Sequence, residues 1–193
     1  MPRGGLGVQP LARRRLFFAL WPDDACRERL AAAAQQAFSA DGPRAGRLVP
    51  AADWHVTLCF LGAVQEPLLG PLQAGAARLR APAFTLRFEW LRYWEPAGVL
   101  ALLGDCPPEA VALATALRTL SRELGVAPDD KPLWPHITLV RGLRGARQMP
   151  REKTLGLTLA ATHFGLAESR EHVAAPAARY RLLAVWPLEG RGG

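Results

Sequence analysis

The chain has 193 residues, half of them hydrophobic, and sets 24 Lys and Arg against 17 Asp and Glu for a formal charge of +7. That length and apolar content exclude a disordered chain and suit one compact domain, or two small lobes sharing a core. The basic balance suits a polyanion such as RNA, yet only Lys131 and Lys153 are lysines, and an excess of Arg, Ala, Gly and Pro equally reflects genomic base composition, so charge alone identifies no partner.

Residues 1–14 read as a flexible basic tail: the apolar run that follows is short and meets Pro22-Asp23-Asp24 at once, unlike a targeting leader. RLFFALW, residues 15–21, is an aromatic-rich run bounded by Pro22 and predicts a buried strand. From Asp23 the period changes, with capping carboxylates and then Cys26, Leu30, Ala33, Ala34 and Ala37 at helical spacing. A loop over residues 39–53 delivers the chain to a strand, WHVTLCFLG. A second helix is expected from Pro67 to about Arg80, although Gly70, Pro71 and Gly75 weaken it.

Phe84, Leu86, Phe88 and Trp90 alternate with Thr85, Arg87, Glu89 and Leu91, as in a half-buried strand that pairs with GVLALLG across a turn at 95–98. Residues 108–124 carry the clearest helical period, with Val111, Ala114, Leu117, Leu120 and Leu124 on one side and Gly125 placed for the C-terminal cap. A strand in PHITLVRGL follows. One more is expected within 155–168 and a last at 180–186, with the domain ending near 189 and 190–193 a second short tail. No segment has the length of a membrane span. Cys26, Cys59 and Cys106 are odd in number and widely spaced, which supports neither a disulfide framework nor a zinc site, so reduced thiols in a cytoplasmic protein are expected.

Two fragments recur: ALWP at 19–22 as AVWP at 184–187, and HVTL at 55–58 as HITL at 136–139. Residues i and i+2 of a strand share a face, about 6 to 7 Å apart, so His55 and Thr57 point together while Val56 and Leu58 anchor behind them. His136 and Thr138 do the same. Set side by side, two such strands form a groove with a histidine and a hydroxyl on each wall. In-line cleavage of a cyclic phosphodiester needs a base at one apex and an acid at the other, and rings titrating near pH 6.5 supply both around neutrality. Threonine hydroxyls and an arginine would stabilise charge on the non-bridging oxygens.

A metal would want further ligands on that face. Only Asp53 has the parity to join His55 and no carboxylate accompanies His136, so no metal or other cofactor is expected. His163 and His172 lack a companion threonine and read as surface or packing residues. Cys59 shares the parity of His55 but has no activating neighbour, and reads as packing.

The paired HVTLCFLG and PHITLVRGL motifs resemble those of the 2H phosphoesterase superfamily, in particular the bacterial and archaeal RNA 2′,3′-cyclic phosphodiesterases, also called 2′-5′ RNA ligases. RLFFALWPDD, LVPAADWHVTLCFLG, KPLWPHITLVRG, LAESR and ARYRLLAVWPL extend the resemblance over nearly the whole chain. Trp134 departs from it, standing where a basic residue is expected, and EHVAAPAARY replaces a more glycine-rich turn. The resemblance implies an α+β fold over 15–189, with two pseudo-symmetric lobes of antiparallel strands, outer helices and a cleft between the lobes. It implies hydrolysis of RNA 2′,3′-cyclic phosphate ends to 2′-phosphomonoesters, with His55 as proton donor to the leaving 3′ oxygen and His136 as the base that activates water. Thr57 and Thr138 would hold the phosphate. Arg141 would join them, but its parity opposes that of His136 unless the strand ends or bulges near Val140.

Two other readings stay open. One is a non-catalytic RNA-end-binding module that uses Arg141, Arg144, Arg147, Arg151 and Lys153 with Trp54 and Trp134 as stacking surfaces, against the simpler view of a solvated loop and core tryptophans. The other is ligation of a cyclic end to a 5′-hydroxyl at the same site. The expected partner is an RNA or nucleotide bearing a 2′,3′-cyclic phosphate, with no membrane association and a monomeric protein.

Overall fold

A strand buried on both faces organises the first of the two sheets that the described residues form. The computed structural model describes residues 11–39, 46–143, 153–170 and 178–190. Arg144, Arg147, Arg151 and His172 lie outside them. In β1 (Arg13–Leu20), Leu16, Phe18 and Leu20 are buried toward the main core, while Phe17 and Ala19 are buried on the opposite face. The strand is the second of an antiparallel sheet ordered β3-β1-β8-β9, with β3 (Val56–Gln65), β8 (His163–Ser169) and β9 (Tyr180–Pro187). A second antiparallel sheet runs β2-β6-β5-β4-β7, from β2 (Arg47–Leu48), β6 (His136–Arg141), β5 (Val99–Gly104), β4 (Phe84–Trp94) and β7 (Lys153–Ala161). The described residues also form three α-helices, α1 (Asp24–Ser39), α2 (Leu69–Ala76) and α3 (Pro108–Glu123), and this is the α+β class.

Each of the longer helices packs across the molecule. α1 follows a strand of the first sheet but lies on β7 of the second, and α3 follows β5 of the second sheet but lies on β3 of the first. The two sheets therefore share one continuous core, in which Phe18, Phe88 and Phe164 are fully buried, each worth about 1.5 to 3 kcal/mol. Among the described residues no helix is long and apolar enough to cross a membrane.

Several elements depart from the pattern in the sequence. The expected helix from Pro67 to Arg80 is a 3-10 turn at Glu66–Leu68 followed by α2, which stops at Ala76. The loop at 39–53 contains β2 and a further 3-10 turn, Ala51–Asp53. The single strand expected within 155–168 is two, β7 and β8, separated by Thr162 and paired in different sheets. A bulge between Phe88 and Trp90 reverses the alternation of β4, so Leu91 is buried and Trp90 exposed. In α3 the buried face is Ala110, Leu113, Ala114 and Leu117, with the Ser121 hydroxyl donating to Leu117 O at 2.7 Å, while Val111 is exposed. ALWP and AVWP fall on β1 and β9 of one sheet, so that echo does not relate the lobes.

The turn joining β4 to β5 holds the end of β6 in place. Gly98 adopts φ +58°, and its carbonyl accepts the amide of Leu143 at 2.9 Å. A Cβ at Gly98 would lie 2.8 Å from Leu143 O. Gly98→Ala is therefore predicted to cost about 1 to 3 kcal/mol from left-handed strain and the displaced carbonyl. Denaturant unfolding measures it, and a loss within experimental error would show that the turn relaxes freely.

Candidate active site

Each of the two His-x-Thr strands carries one extra residue at the same place. Opposite Phe18 and Ala19 of β1 stand Cys59 and Thr57, leaving Leu58 extra. Opposite Leu100 and Ala101 of β5 stand Val140 and Thr138, leaving Leu139 extra. Each bulge falls directly after the threonine and turns the following residues over. Leu58 and Cys59 are thus both buried, as are Leu139 and Val140. The residue five beyond each histidine, Phe60 on β3 and Arg141 on β6, emerges beside it.

One pocket of about 200 Å³ is lined by His55, Thr57, His136, Thr138 and Arg141, together with Arg15, Phe17, Phe60, Ser169, Arg179 and Tyr180. Arg141 reaches it by the bulge on which its access depended. Cys59 does not share the face of His55. It is buried, and burial pushes its thiol up to about 11. Arg15 lies over the Phe60 ring at 4.7 Å, and neither it nor Phe60, Ser169, Arg179 or Tyr180 was legible as a site residue. Strict alternation hides Phe60, and the others arrive from strands whose pairing the local sequence does not specify.

The two histidines are held alike. Nδ1 of His55 lies 2.7 Å from Asp53 O, and Nδ1 of His136 lies 2.7 Å from Trp134 O. A carbonyl only accepts, so each Nδ1 carries a hydrogen and donates it, and each neutral ring keeps its lone pair on Nε2. Aromatic rings brace both. Tyr180 meets His55 edge-on at 4.6 Å with Phe17 at 5.0 Å, and Trp94 meets His136 edge-on at 5.0 Å.

The rings do not titrate where free imidazole does. Burial lowers His55 to about 4, aided by the charges of Arg141 and His136 and opposed by the bond to Asp53 O. Burial also lowers His136, again with help from Arg141 and against the bond to Trp134 O. In the free protein near neutral pH both rings are therefore neutral, which moves the expected titration to more acid values.

Asp53 is not beside His55 on the groove. It closes the 3-10 turn before β3, is buried, and accepts the amides of Arg179 and Tyr180 at 3.1 Å each, so its carboxylate ties the first His strand to the start of β9. Trp54 is buried in the core as the simpler reading had it. Trp134 is not: it is 55% exposed. His163 is exposed and hydrogen-bonds to Thr162.

Comparison with known proteins identifies the fold and the family. A family model described as LigT like Phosphoesterase matches residues 20–101. The RNA 2′,3′-cyclic phosphodiesterase of Escherichia coli (strain K12) is 34% identical over 176 residues, 91% of this chain and 97% of that protein. The crystal structure of E. coli LigT in apo form superposes with a TM-score of 0.78 at 32% identity, covering 92% of this chain and 99% of that one. The same protein complexed with 3′-AMP gives 0.75 at 32% identity, with 92% and 98% covered.

Asparagine at position 53 would present an amide N–H to a backbone N–H, leaving one buried donor unsatisfied. Asp53→Asn is predicted to lose about 1 to 3 kcal/mol of unfolding free energy. Unchanged stability in denaturant would show that the clamp on Arg179 and Tyr180 is dispensable.

Proposed function

The chain belongs to the LigT-like phosphoesterase family, within the 2H phosphoesterases, and on that footing we propose that it opens 2′,3′-cyclic phosphodiester ends of RNA to 2′-phosphomonoesters. The observation that carries the reading is the matched pair of rings, each bonded through Nδ1 to the carbonyl two residues back, each lining one small pocket with a threonine hydroxyl. Such rings are equivalent in tautomer and differ only in surroundings, which suits one to give a proton and the other to take one.

In the proposed reaction His136 Nε2 accepts a proton from water as the water oxygen bonds to phosphorus. The bond from phosphorus to the 3′ oxygen breaks in line, and that oxygen takes a proton from His55 Nε2. Thr57 and Thr138 donate hydrogen bonds to the non-bridging oxygens, and Arg141 balances their charge. His55 must be protonated to serve, although its ring is neutral in the free protein. A bound phosphodiester supplies the remedy, because its negative charge favours the imidazolium and offsets the positive charge of Arg141 that helped to lower both rings. Substrate binding and protonation of His55 are then linked.

The direct test is incubation with adenosine 2′,3′-cyclic phosphate in excess chelator and identification of the product. A 2′-phosphate is expected, and a 3′-phosphate or intact substrate would overturn the reading. His55→Ala and His136→Ala are each predicted to remove most turnover, with the double variant little worse than either, since groups acting as one unit are non-additive. Thr57→Val and Thr138→Val should each cost roughly 1 to 3 kcal/mol of transition-state stabilisation, about one to two decades in kcat/KM.

The pH dependence follows from the lowered rings. kcat/KM reports the free enzyme, whose proposed donor loses its proton as pH rises past about 4, so it is predicted to peak below pH 6.5 and to fall between pH 6 and 8. kcat reports the complex, where the anion raises the rings, so its profile should extend to higher pH. Coincident profiles centred above pH 7 would contradict the linkage.

A further inference from the structure

Behind the His55 wall, one buried residue holds the ring both directly and through its neighbours. Asp53 is 5% exposed, and its carbonyl accepts the Nδ1–H of His55 at 2.7 Å. Its carboxylate crosses to the start of β9: Oδ2 accepts the amide of Arg179 and Oδ1 that of Tyr180, each at 3.1 Å, from 126 and 127 positions away in the chain. Those two residues are themselves part of the site. Both line the pocket, the Tyr180 ring meets His55 edge-on at 4.6 Å and Phe17 edge-on at 5.1 Å, and the Arg179 guanidinium lies over Tyr180 at 6.0 Å. The matching residue of the other lobe shares only the carbonyl bond. Trp134 is exposed between Arg92 and Trp94 of β4 and lines a largely apolar groove of about 800 Å³ that shares Thr57, Phe60 and His136 with the pocket.

We propose that Asp53 is a positioning residue for the proton donor of the reaction, holding His55 through its carbonyl and, through its carboxylate, the Arg179–Tyr180 step that packs against that ring. The inference rests on the reading of His55 as the donor. A donor must aim Nε2–H along the line of the departing oxygen, and a misplacement of about 1 Å costs on the order of a hundredfold in rate. The carbonyl bond alone leaves the ring free to tilt about it, and the Tyr180 ring closes that freedom. β9 is an edge strand with a neighbour on one side alone, and the amides of its first residue and of the residue before it go to Asp53. A purely structural tie would serve anywhere along β9, whereas this one lands on the two residues of that segment that line the pocket. Charge acts in the same sense. Around His55 stand Arg141 and His136 of β6, Arg15 of β1, and Arg179 and Tyr180, and among the described residues no carboxylate lines the pocket. The charge of Asp53 favours the imidazolium, against the burial and the cations that lower it.

The test measures kcat and KM for adenosine 2′,3′-cyclic phosphate in the intact protein, Asp53→Asn, Tyr180→Leu and the double variant, at a temperature where circular dichroism shows each of them folded. Asp53→Asn is expected to lower kcat roughly tenfold or more while KM stays within about twofold, because Thr57, Thr138 and Arg141 still grip the phosphate. The double variant should be little worse than the poorer single, since Asp53 acts through the ring that Tyr180→Leu removes. A kcat in folded Asp53→Asn equal to that of the intact protein, which would mark a structural role, overturns the proposal, and so do losses that simply multiply. Tyr180→Leu keeps the backbone bonds to Asp53, so a normal kcat in it overturns the proposal whatever the stability of Asp53→Asn. Nitrogen NMR of the imidazole rings, with His55→Ala for assignment, is read without turnover. The intact protein should hold the His55 hydrogen on Nδ1 alone, and Asp53→Asn should show the second tautomer. If the intact protein leaves the cyclic ester unopened, the proposed activity fails, and the spectrum still decides whether Asp53 positions the ring: an unchanged tautomer overturns it.

Discussion

Each histidine of the pocket spends its Nδ1–H on a carbonyl of its own chain, two residues back, and the rest of the site is arranged around that bond. It sets the tautomer, so that the nitrogen left without a hydrogen is the same in both rings. It also sets ring orientation, since the carbonyl belongs to the segment entering the strand and moves with the strand. The edge-on contacts of Tyr180 and Trp94 then restrain rotation away from that bond. A proposed acid–base pair needs this restraint, because a ring free to flip would present a donor where an acceptor is required.

Keeping two walls at a fixed separation is a different problem, and the crossed helices address it. With α1 on the second sheet and α3 on the first, neither sheet can shift without disturbing a helix joined to the other. The ion pairs of Glu168 with Arg14 and Arg181, and the hold of Asp53 on the first residues of β9, add ties within the first lobe. The Arg14 pair lets Glu168 accept from both Nε and a terminal guanidinium nitrogen at 2.8 Å each. This two-pronged geometry holds direction better than a single contact does.

Likeness between the lobes stops beyond the paired histidines and threonines and the bulge that follows them. The position five beyond the histidine is Phe60 on one wall and Arg141 on the other, and the position two before it is Asp53 on one wall and Trp134 on the other. The same bulge therefore aims an aromatic ring from one side and a cation from the other. The same carbonyl geometry is built on a carboxylate that clamps β9 in one lobe and on an indole that opens onto a groove in the other.

Sequence by itself determined the elements that depend on short-range pattern: the strand of β1, the span of α3 and its Gly125 cap, the β4–β5 hairpin, and the pairing of His55 with Thr57 and His136 with Thr138 on common faces. Those follow from periods of two and of about 3.6, which the chain carries in any window of ten residues. What the period could not carry is the extra residue after each threonine. A bulge is decided by the register against a neighbouring strand, and it alone moves Cys59 inward, brings Phe60 and Arg141 to the pocket, and turns Trp90 out of β4. The same limit split the strand expected within 155–168 between two sheets, since Ala161 before Thr162 pairs with Phe84 and His163 after it pairs with Pro187, partners that no local period specifies. Trp134 looked like core because its neighbours are apolar. Only the packing of β4 and the segment before β6 decided that its indole faces open space, because burial is a property of what lies opposite and not of the residue itself.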